Sequence, residues 1–320
     1  MAYPTPAVTT TTAATFIPEI WSDEIVAAYK KNLVLANIVM KMNFKGKKGD
    51  TVHIPAPTRG SASAKAASTA VTLIAATETE VVVTIDKHYE YSRFIEDIVE
   101  AQALNSLRQF YTADAGYALA KQVDTSLIQV GRAFNGATVG TNDYATSNTT
   151  TKAFIGGDGT TAYNSTSSNA SALTDAAIRR TIQRLDDNDT PMDGRFFIIP
   201  PSSRNTLMGL SRYTEQAFVG NGNAIRTGEI GNLYGIPVFT SSNADTGAGN
   251  TATDRICLMG HKDCMVLVEQ IGIRSQTQYK QDYLATLFTS DTLYGVKALR
   301  AAATTGAALS SSAFALAVPA

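Results

Sequence analysis

The chain has 320 residues, of which 44% are hydrophobic and only 17% are charged, and its formal net charge is −1. Typical globular chains carry about 25% charged residues, so this composition indicates a weakly charged surface that suits extensive burial against other proteins. The near-neutral balance argues against a sequence-independent nucleic-acid binder, because such a protein needs a basic surplus to neutralise phosphates.

Residues 1–18 are rich in threonine and interrupted by three prolines, so they cannot bury a core of their own. They predict an extended arm, with a disordered tail as the alternative. Large apolar residues near the end of this segment favour an arm that docks on a surface. These residues are Phe16, Ile17, Trp21 and Ile25. A helical pattern then runs from residue 18 to about residue 40. No apolar signal-peptide core precedes Trp21, and no apolar run reaches the roughly 18 residues of a membrane span.

Two predicted strands flank a long excursion of the chain. A turn is expected at residues 46–49, followed by a strand at 51–54 that two prolines end. Residues 80–92 predict a strong returning strand. The intervening residues 56–79 are small, polar and nearly uncharged, so they predict an extended two-stranded loop, or else an ordinary disordered surface loop.

The longest helical pattern lies within residues 86–134, and this stretch contains no proline from residue 106 to its end. Apolar or small residues recur at steps of three and four along one face. They are Gly116, Ala120, Val123, Leu127, Val130 and Phe134. Polar residues mark the wetter side, namely Arg108, Asp114, Lys121 and Asp124. A helix of about 25 residues is roughly 37 Å long and suits a spine on which other elements lie. Gly131 is the expected stop, because glycine tolerates the left-handed cap conformation.

The second half of the chain predicts an α/β unit followed by strands. Residues 135–172 are rich in Gly, Thr, Ser and Asn, which indicates a domain boundary or inserted loop with short strands around 153–155. The next predicted elements are a helix at 172–185 capped by Thr174, a strand at 196–199 ended by two prolines, a helix at 202–210 and a strand at 237–239. Residues 256–259 and 264–269 predict a hairpin around 260–263. Strands are expected at 286–289 and 292–296, and residues 301–320 predict a loose tail.

Catalytic and ligand-binding templates are incomplete in this sequence. Residues 220–225 lack the third glycine and the preceding strong strand of a dinucleotide site. Residues 186–194 are rich in aspartate, but Met192 stands where a calcium loop needs glycine, and the closing glutamate is missing. We therefore interpret this segment as a helix-to-strand turn.

Cys257, His261 and Cys264 form the one cluster of soft metal ligands. Zinc needs four ligands, or three plus water, and no fourth ligand is close in sequence. The cluster therefore predicts buried structural thiols beside a turn histidine, and two cysteines give no disulfide framework. His53 and His88 lie beside strands and far apart in sequence, which favours incidental strand residues over a catalytic pair. We expect no enzyme, no cofactor and no bound metal.

The order of these elements resembles the major capsid protein of tailed bacteriophages, which has the Hong Kong 97 (HK97-like) α+β fold. Three stretches carry the resemblance: residues 48–102, the predicted spine helix and residues 194–243. The first stretch is also similar to podophage-type capsid proteins. The resemblance implies an N-terminal arm and short helix at 1–45, an extended two-stranded E-loop at 46–88, a P-domain with spine helix and inserted loop at 89–172, an α/β A-domain at 173–270, and a return to the P-domain with a C-terminal tail at 271–320.

The resemblance also implies a function. The chain is expected to self-assemble into the pentamers and hexamers of an icosahedral phage head that encloses double-stranded DNA without sequence-specific binding. Scaffolding, portal and decoration proteins are the expected partners, the host bacterial cytoplasm the place of assembly, and the virion the final location, with no membrane partner. The alternatives are an encapsulin-like compartment shell and a Thr/Ser-rich surface or adhesion protein; the latter would want a secretion signal.

Charged residues of the loop have two interpretations, solvated surface charges or weak ion pairs between subunits, each worth about 0–1 kcal/mol. These residues are Arg59, Lys65, Glu78 and Glu80. Some capsid proteins of this family form Lys–Asn crosslinks with the help of a glutamate. The candidate lysine here is Lys65, the only lysine between Lys48 and Lys87. The sequence identifies neither the asparagine nor the glutamate, and podophage-like relatives generally lack the reaction.

Overall fold

A computed structural model describes much of the chain as two main sheets joined by one long helix. The described residues are 34–46, 48–57, 60, 62–73, 78–98, 107–132, 153–161, 163, 169–210, 231–243, 254–299 and 312–320. The predicted arm at 1–18 and the glycine-rich segment 220–225 lie outside these residues. The described sheets have four, six and two strands.

The predicted spine helix is confirmed as helix α2, Leu107–Arg132, which follows the short helix α1, Leu35–Ile38. Its 26 residues correspond to roughly 39 Å at 1.5 Å per residue. Val123, Leu127 and Val130 are buried, as the periodicity predicts. The described helix ends at Arg132, one residue after the expected stop at Gly131, and a Cβ at Gly131 would lie 2.5 Å from a methyl group of Leu258.

The four-stranded sheet lies against the spine helix. Its strands, in spatial order, are β1 (Met40–Asn43), β10 (Met265–Lys280), β11 (Ala285–Ala298) and β4 (Lys87–Glu96). Strand β1 is parallel to β10, and the other neighbours are antiparallel. Leu35, Leu127 and Tyr294 belong to the core cluster that joins this sheet, helix α1 and the spine helix.

The six-stranded sheet lies between the spine helix and two further helices. Its order is β5 (Phe154–Ile155), β12 (Ala313–Val318), β9 (Arg255–His261), β6 (Arg195–Ile199), β8 (Ile236–Thr240) and β7 (Asn232–Leu233). Strand β6 is buried on both faces, since Phe196 contributes to the core on the spine side while Phe197 joins the core formed with α3, Asp175–Asp187, and α4, Pro201–Met208. Continuous apolar runs are typical of strands covered on both sides.

The remaining sheet is a hairpin of β2 (Thr51–Pro57) and β3 (Glu78–Thr84). Val83 and Ile85, at its base, pack on Val266 and Val268 of the four-stranded sheet. Two predictions for this region are wrong in detail. The first strand continues through Pro55, which is possible because a two-stranded sheet has open edges where a missing N–H costs little. The predicted strand 80–92 is divided at residues 85–86, and its halves enter different sheets.

Two predictions for the C-terminal part are wrong. Residues 313–318, expected to belong to a loose tail, form a buried strand between β5 and β9. The predicted hairpin of residues 256–259 and 264–269 does not form, because β9 and β10 belong to different sheets. A 3₁₀ turn at Lys262–Cys264 carries the chain from one sheet to the other. The predicted helix with its Thr174 cap, the following strand and the second helix are confirmed as α3, β6 and α4.

Candidate assembly surfaces

The β2–β3 hairpin carries a loop that makes few contacts with the rest of the chain. Its described residues 62–73 are all exposed, and Leu73 is 89% exposed. Val71 is a second exposed apolar side chain close to it. On the strands, His53 Nδ1 lies 2.9 Å from Glu80 Oε2 across the pair. We call the part of the loop around Val71 and Leu73 the loop tip, and these two exposed apolar side chains are candidates for contact with a partner molecule.

A second apolar surface lies where β10 turns into β11. We call it the sheet-end patch, and its exposed members are Phe94, Ile98, Tyr279, Tyr283 and Leu284. The rings of Phe94 and Tyr283 are 5.7 Å apart, and Tyr283 is 71% exposed. The Tyr279 hydroxyl donates to Asp97 Oδ2 at 2.7 Å, and this bond is the main cause of a raised Tyr279 pKa.

The outer part of strand β4 is tied to the spine helix by a polar group of side chains. The Tyr91 hydroxyl donates to Asp114 Oδ2 at 2.9 Å, and Arg93 Nε donates to Tyr91 Oη at 2.7 Å. The Arg93 guanidinium also lies 4.8 Å from the centre of the Tyr111 ring. Burial and the Asp114 carboxylate together raise the pKa of Tyr91. These contacts fix the first turns of the spine helix on the sheet whose end carries the patch.

The histidines of the sequence analysis do not meet. His53 lies on the hairpin, whereas His88 Nε2 lies 3.2 Å from Asp291 Oδ2 on the four-stranded sheet. Arg274 makes a bidentate contact with Asp291 at 2.8 and 2.9 Å, and it holds the pKa of that carboxyl below its usual range. Asp291 thus bridges His88 and Arg274 on the two neighbouring strands, and His53 and His88 do not form a pair.

Cys257, His261 and Cys264 are all buried, and both cysteines are free thiols. Cys257 Sγ lies 3.4 Å from Ser203 Oγ, and burial raises the pKa of the Cys257 thiol to about 12. Burial also raises the pKa of Cys264. His261 Nδ1 accepts the Asp263 N–H at 3.2 Å. Across the part of the chain that the structure describes, no three His, Cys, Asp or Glu side chains are grouped as a metal site would require.

The remaining candidates occupy ordinary positions. Residues 186–194 join α3 to β6, and Asp186 Oδ1 accepts a 2.7 Å hydrogen bond from Arg195, so the helix-to-strand turn is confirmed. Lys65 is exposed, and its crosslinking stays a prediction. Arg59 and the Glu78 side chain lie outside the described residues. None of the described helices has the length and apolarity needed to cross a membrane.

Sequence reasoning missed the sheet-end patch and the burial of Asp124. The patch had no clear signal, because Tyr279, Tyr283 and Leu287 recur at steps of four, which fits one face of a helix and one face of a strand alike. Asp124 had none, since its place in the helical pattern predicts the wetter side, yet it is fully buried.

Comparison with known proteins identifies the family and the fold of this chain. A sequence model of the phage capsid protein family matches residues 20–304. No curated protein matches the sequence. A solved chain from Mycobacterium phage Che8 has 23% identity and a TM-score of 0.72, covering 94% of this chain and 97% of that one.

A capsid chain of the cyanophage P-SCSP1u has 20% identity and a TM-score of 0.73, with 96% of this chain and 94% of that chain covered. The mature capsid of bacteriophage PhiM1 provides a third similar chain, with 15% identity, a TM-score of 0.67 and coverage of 94% and 92%. Such likenesses show the fold, which is the HK97-like α+β fold expected from the sequence. With a family match over most of its length, the chain belongs to the phage capsid protein family and is a structural protein, not an enzyme.

Proposed function

We propose that this chain assembles into the pentamers and hexamers of an icosahedral phage head that encloses double-stranded DNA. The observation that carries the proposal is the match of the fold to chains of phage capsids, over 94% or more of this chain. A net charge of −1 fits a wall that encloses DNA by closing around it and does not condense it by phosphate neutralisation.

The division of labour within the subunit is part of this proposal. We assign the arm and short helix to residues 1–45, the E-loop to 46–88, the P-domain to 89–172, the A-domain to 173–270 and the return to the P-domain to 271–320. One change to the last region follows from the strand order, because β12 at its end is part of the six-stranded sheet.

The two exposed apolar surfaces supply the contacts between copies in this proposal. The loop tip at Val71 and Leu73 and the sheet-end patch around Phe94 and Tyr283 are both too apolar for permanent contact with water. Each Å² of apolar surface that a contact removes from water contributes about 25 cal/mol of favourable free energy. Because every subunit repeats these contacts, many weak contacts together are sufficient for a closed shell. Each copy contributes both surfaces, so contacts propagate around a ring.

Further partners follow from the family resemblance alone. Scaffolding and portal proteins are proposed for assembly in the host bacterial cytoplasm, and decoration proteins for the outer surface of the finished virion. The podophage-like branch is likewise a proposal. An encapsulin-like shell would enclose a protein instead of nucleic acid, so the contents of purified particles separate it from a phage head.

The experiment that tests the proposal shortens the loop without removing the hairpin. Residues 58–77 are replaced by Asn-Gly, which joins the last strand pair, Pro57 and Glu78, through a two-residue turn. We expect the variant to keep the far-ultraviolet circular dichroism and melting temperature of the full chain, while negative-stain microscopy shows no shells. The matched control is a chain whose loop keeps its length and composition: residues 70–74 stay in place, and the other residues of 58–77 are scrambled. This control chain should still form shells. Failure of the full chain to form shells would contradict the proposed function, whereas shell formation by the shortened chain would contradict only the role proposed for the loop.

A further inference from the structure

The spine helix buries one carboxylate completely. Asp124 is 0% exposed, although its sequence neighbours Lys121 and Thr125 are only partly buried. An ionised carboxylate in such a place is costly unless hydrogen-bond donors replace its lost water. The hydrogen-bond donors to Asp124 therefore indicate the role of this residue.

One oxygen of Asp124 holds the segment that follows the N-terminal arm. Oδ1 accepts the N–H groups of Leu35 at 2.9 Å and Ala36 at 3.2 Å. These are the first amides of helix α1, and the residue that precedes it, Val34, has no side chain able to cap them. The cap comes instead from a residue 89 positions further along the chain. The seating of residues 34–38 thus depends on the spine helix.

The other oxygen of Asp124 holds a loop of the six-stranded sheet. Oδ2 accepts from Asn243 Nδ2 at 3.0 Å, and Asn243 lies just after strand β8. The same amide nitrogen donates to Thr125 Oγ1 at 3.2 Å, so two consecutive helix residues hold this one side chain. The Asn243 N–H donates to Ser241 Oγ at 3.2 Å, which fixes the loop that presents it.

These contacts make the two segments depend on each other. Burial is the largest influence on Asp124 and keeps its pKa above the ordinary value, while hydrogen bonds from Asn243 and from the backbone of Ala36, Leu35 and Val34 oppose that rise, so both segments help to keep the charge in place. The described donors are neutral amides, and no single one compensates a buried charge. A carboxylate that loses the donors of one segment loses part of the compensation for its burial, which weakens the reason for it to stay in contact with the other segment.

We propose that Asp124 is a coupling residue that links the seating of residues 34–38 to the seating of residues 241–243. The biological role of this link rests on the proposed function. When an N-terminal arm moves onto a neighbouring subunit, a shift of residues 34–38 passes through Asp124 of the spine helix to the sheet proposed as the A-domain core. The link acts in both directions with equal strength, because coupling free energies are reciprocal.

Amide hydrogen exchange on dilute, unassembled full-length chain tests the link. Asn243→Ala removes the donor to Oδ2 and changes no atom of Asp124 or of residues 34–38. We expect the amides of Leu35 and Ala36 to exchange about tenfold faster in this variant, while amides inside strand β9 keep their rates. Asn232→Ala makes the same chemical change at an exposed position of the same sheet and should alter neither. Unchanged rates at Leu35 and Ala36, or an equal rise throughout the core, would overturn the proposal.

A second background shows whether the charge of Asp124 carries the effect. Asp124→Asn keeps the size of the side chain but removes the buried charge, so its burial needs fewer donors. In this background, Asn243→Ala should accelerate exchange at Leu35 and Ala36 less than threefold. A tenfold effect that persists without the charge would mean that the link bypasses Asp124. Failure of the chain to form shells leaves this measurement intact, so the proposed function and the coupling fail separately.

Discussion

Leu316→Ala tests the strand that the sequence did not predict. Leu316 is fully buried in β12, where it packs in the core formed by the six-stranded sheet with helices α3 and α4. Its register partners are Cys257 on one side and Phe154 on the other. If β12 is an integral strand, truncating this side chain must destabilise the whole subunit; if the segment were a loose tail, the change would have no effect.

The magnitude follows from the carbons removed and the space they leave. Three carbon atoms at about 0.8 kcal/mol each give about 2.4 kcal/mol of lost transfer free energy. A cavity term is added, because neighbouring strands on both sides and helices on one face limit relaxation, and buried Leu→Ala changes cost about 2–5 kcal/mol in total. We expect about 3–4 kcal/mol, a large fraction of the roughly 5–15 kcal/mol that stabilises a typical domain.

Urea denaturation of the unassembled chain, followed by circular dichroism, measures this loss. The matched control is Leu73→Ala, the same substitution at an exposed position of the loop tip. Leu73→Ala should leave the free energy of unfolding within about 0.5 kcal/mol of the parent while reducing the yield of shells. Leu316→Ala should instead lower the free energy of unfolding of the unassembled subunit, before any assembly step. A Leu316→Ala chain as stable as the Leu73→Ala chain would refute the assignment of β12 to the core.

Two further predictions concern single side chains. Thr174→Ala removes the hydroxyl that caps helix α3, so it should lower the free energy of unfolding by about 1 kcal/mol, and Thr174→Ser should restore most of it. Arg274 depresses the pKa of Asp291 in the folded chain, so this carboxylate stabilises the fold above its unfolded pKa of about 3.9 and loses that contribution as pH falls through the lower folded value. Acid titration of Asp291→Asn should therefore show a shallower loss of stability below about pH 4 than the parent chain; an identical slope would contradict the assignment.

Local patterns in the sequence were sufficient to predict the spine helix, α3 and β6. The spine helix has a three-four periodicity, α3 has both a threonine cap and an apolar face, and β6 is an uninterrupted apolar run ended by prolines. Each of these signals lies within about 15–25 consecutive residues, so no knowledge of distant partners was needed. The fold class followed from their order and from the family resemblance.

Elements that depend on distant partners were out of reach. The sequence of strand β12 predicts an Ala-rich tail, because half of its residues are alanines. In the fold these alanines lie close to the neighbouring strand, since a Cβ on Gly260 of β9 would lie 2.6 Å from the Ala313 side chain. Small side chains signal close packing only when the neighbouring strand is known. Asp124 is the same case for a polar residue, since its donors come from positions 89 and 119 residues away.

The four-stranded sheet is held to the core around the spine helix mainly by its inner half. Strand β10 begins with four buried residues and is exposed from residue 273 to 279. Its inner half joins the core around Leu127 and Tyr294, whereas its outer half is supported by β11 and β4 and by the Tyr91–Asp114 contact. The outer half, which carries the sheet-end patch, therefore has the smaller free energy of local opening. A shell contact placed there lets neighbouring copies shift relative to one another while the core around the spine helix stays intact.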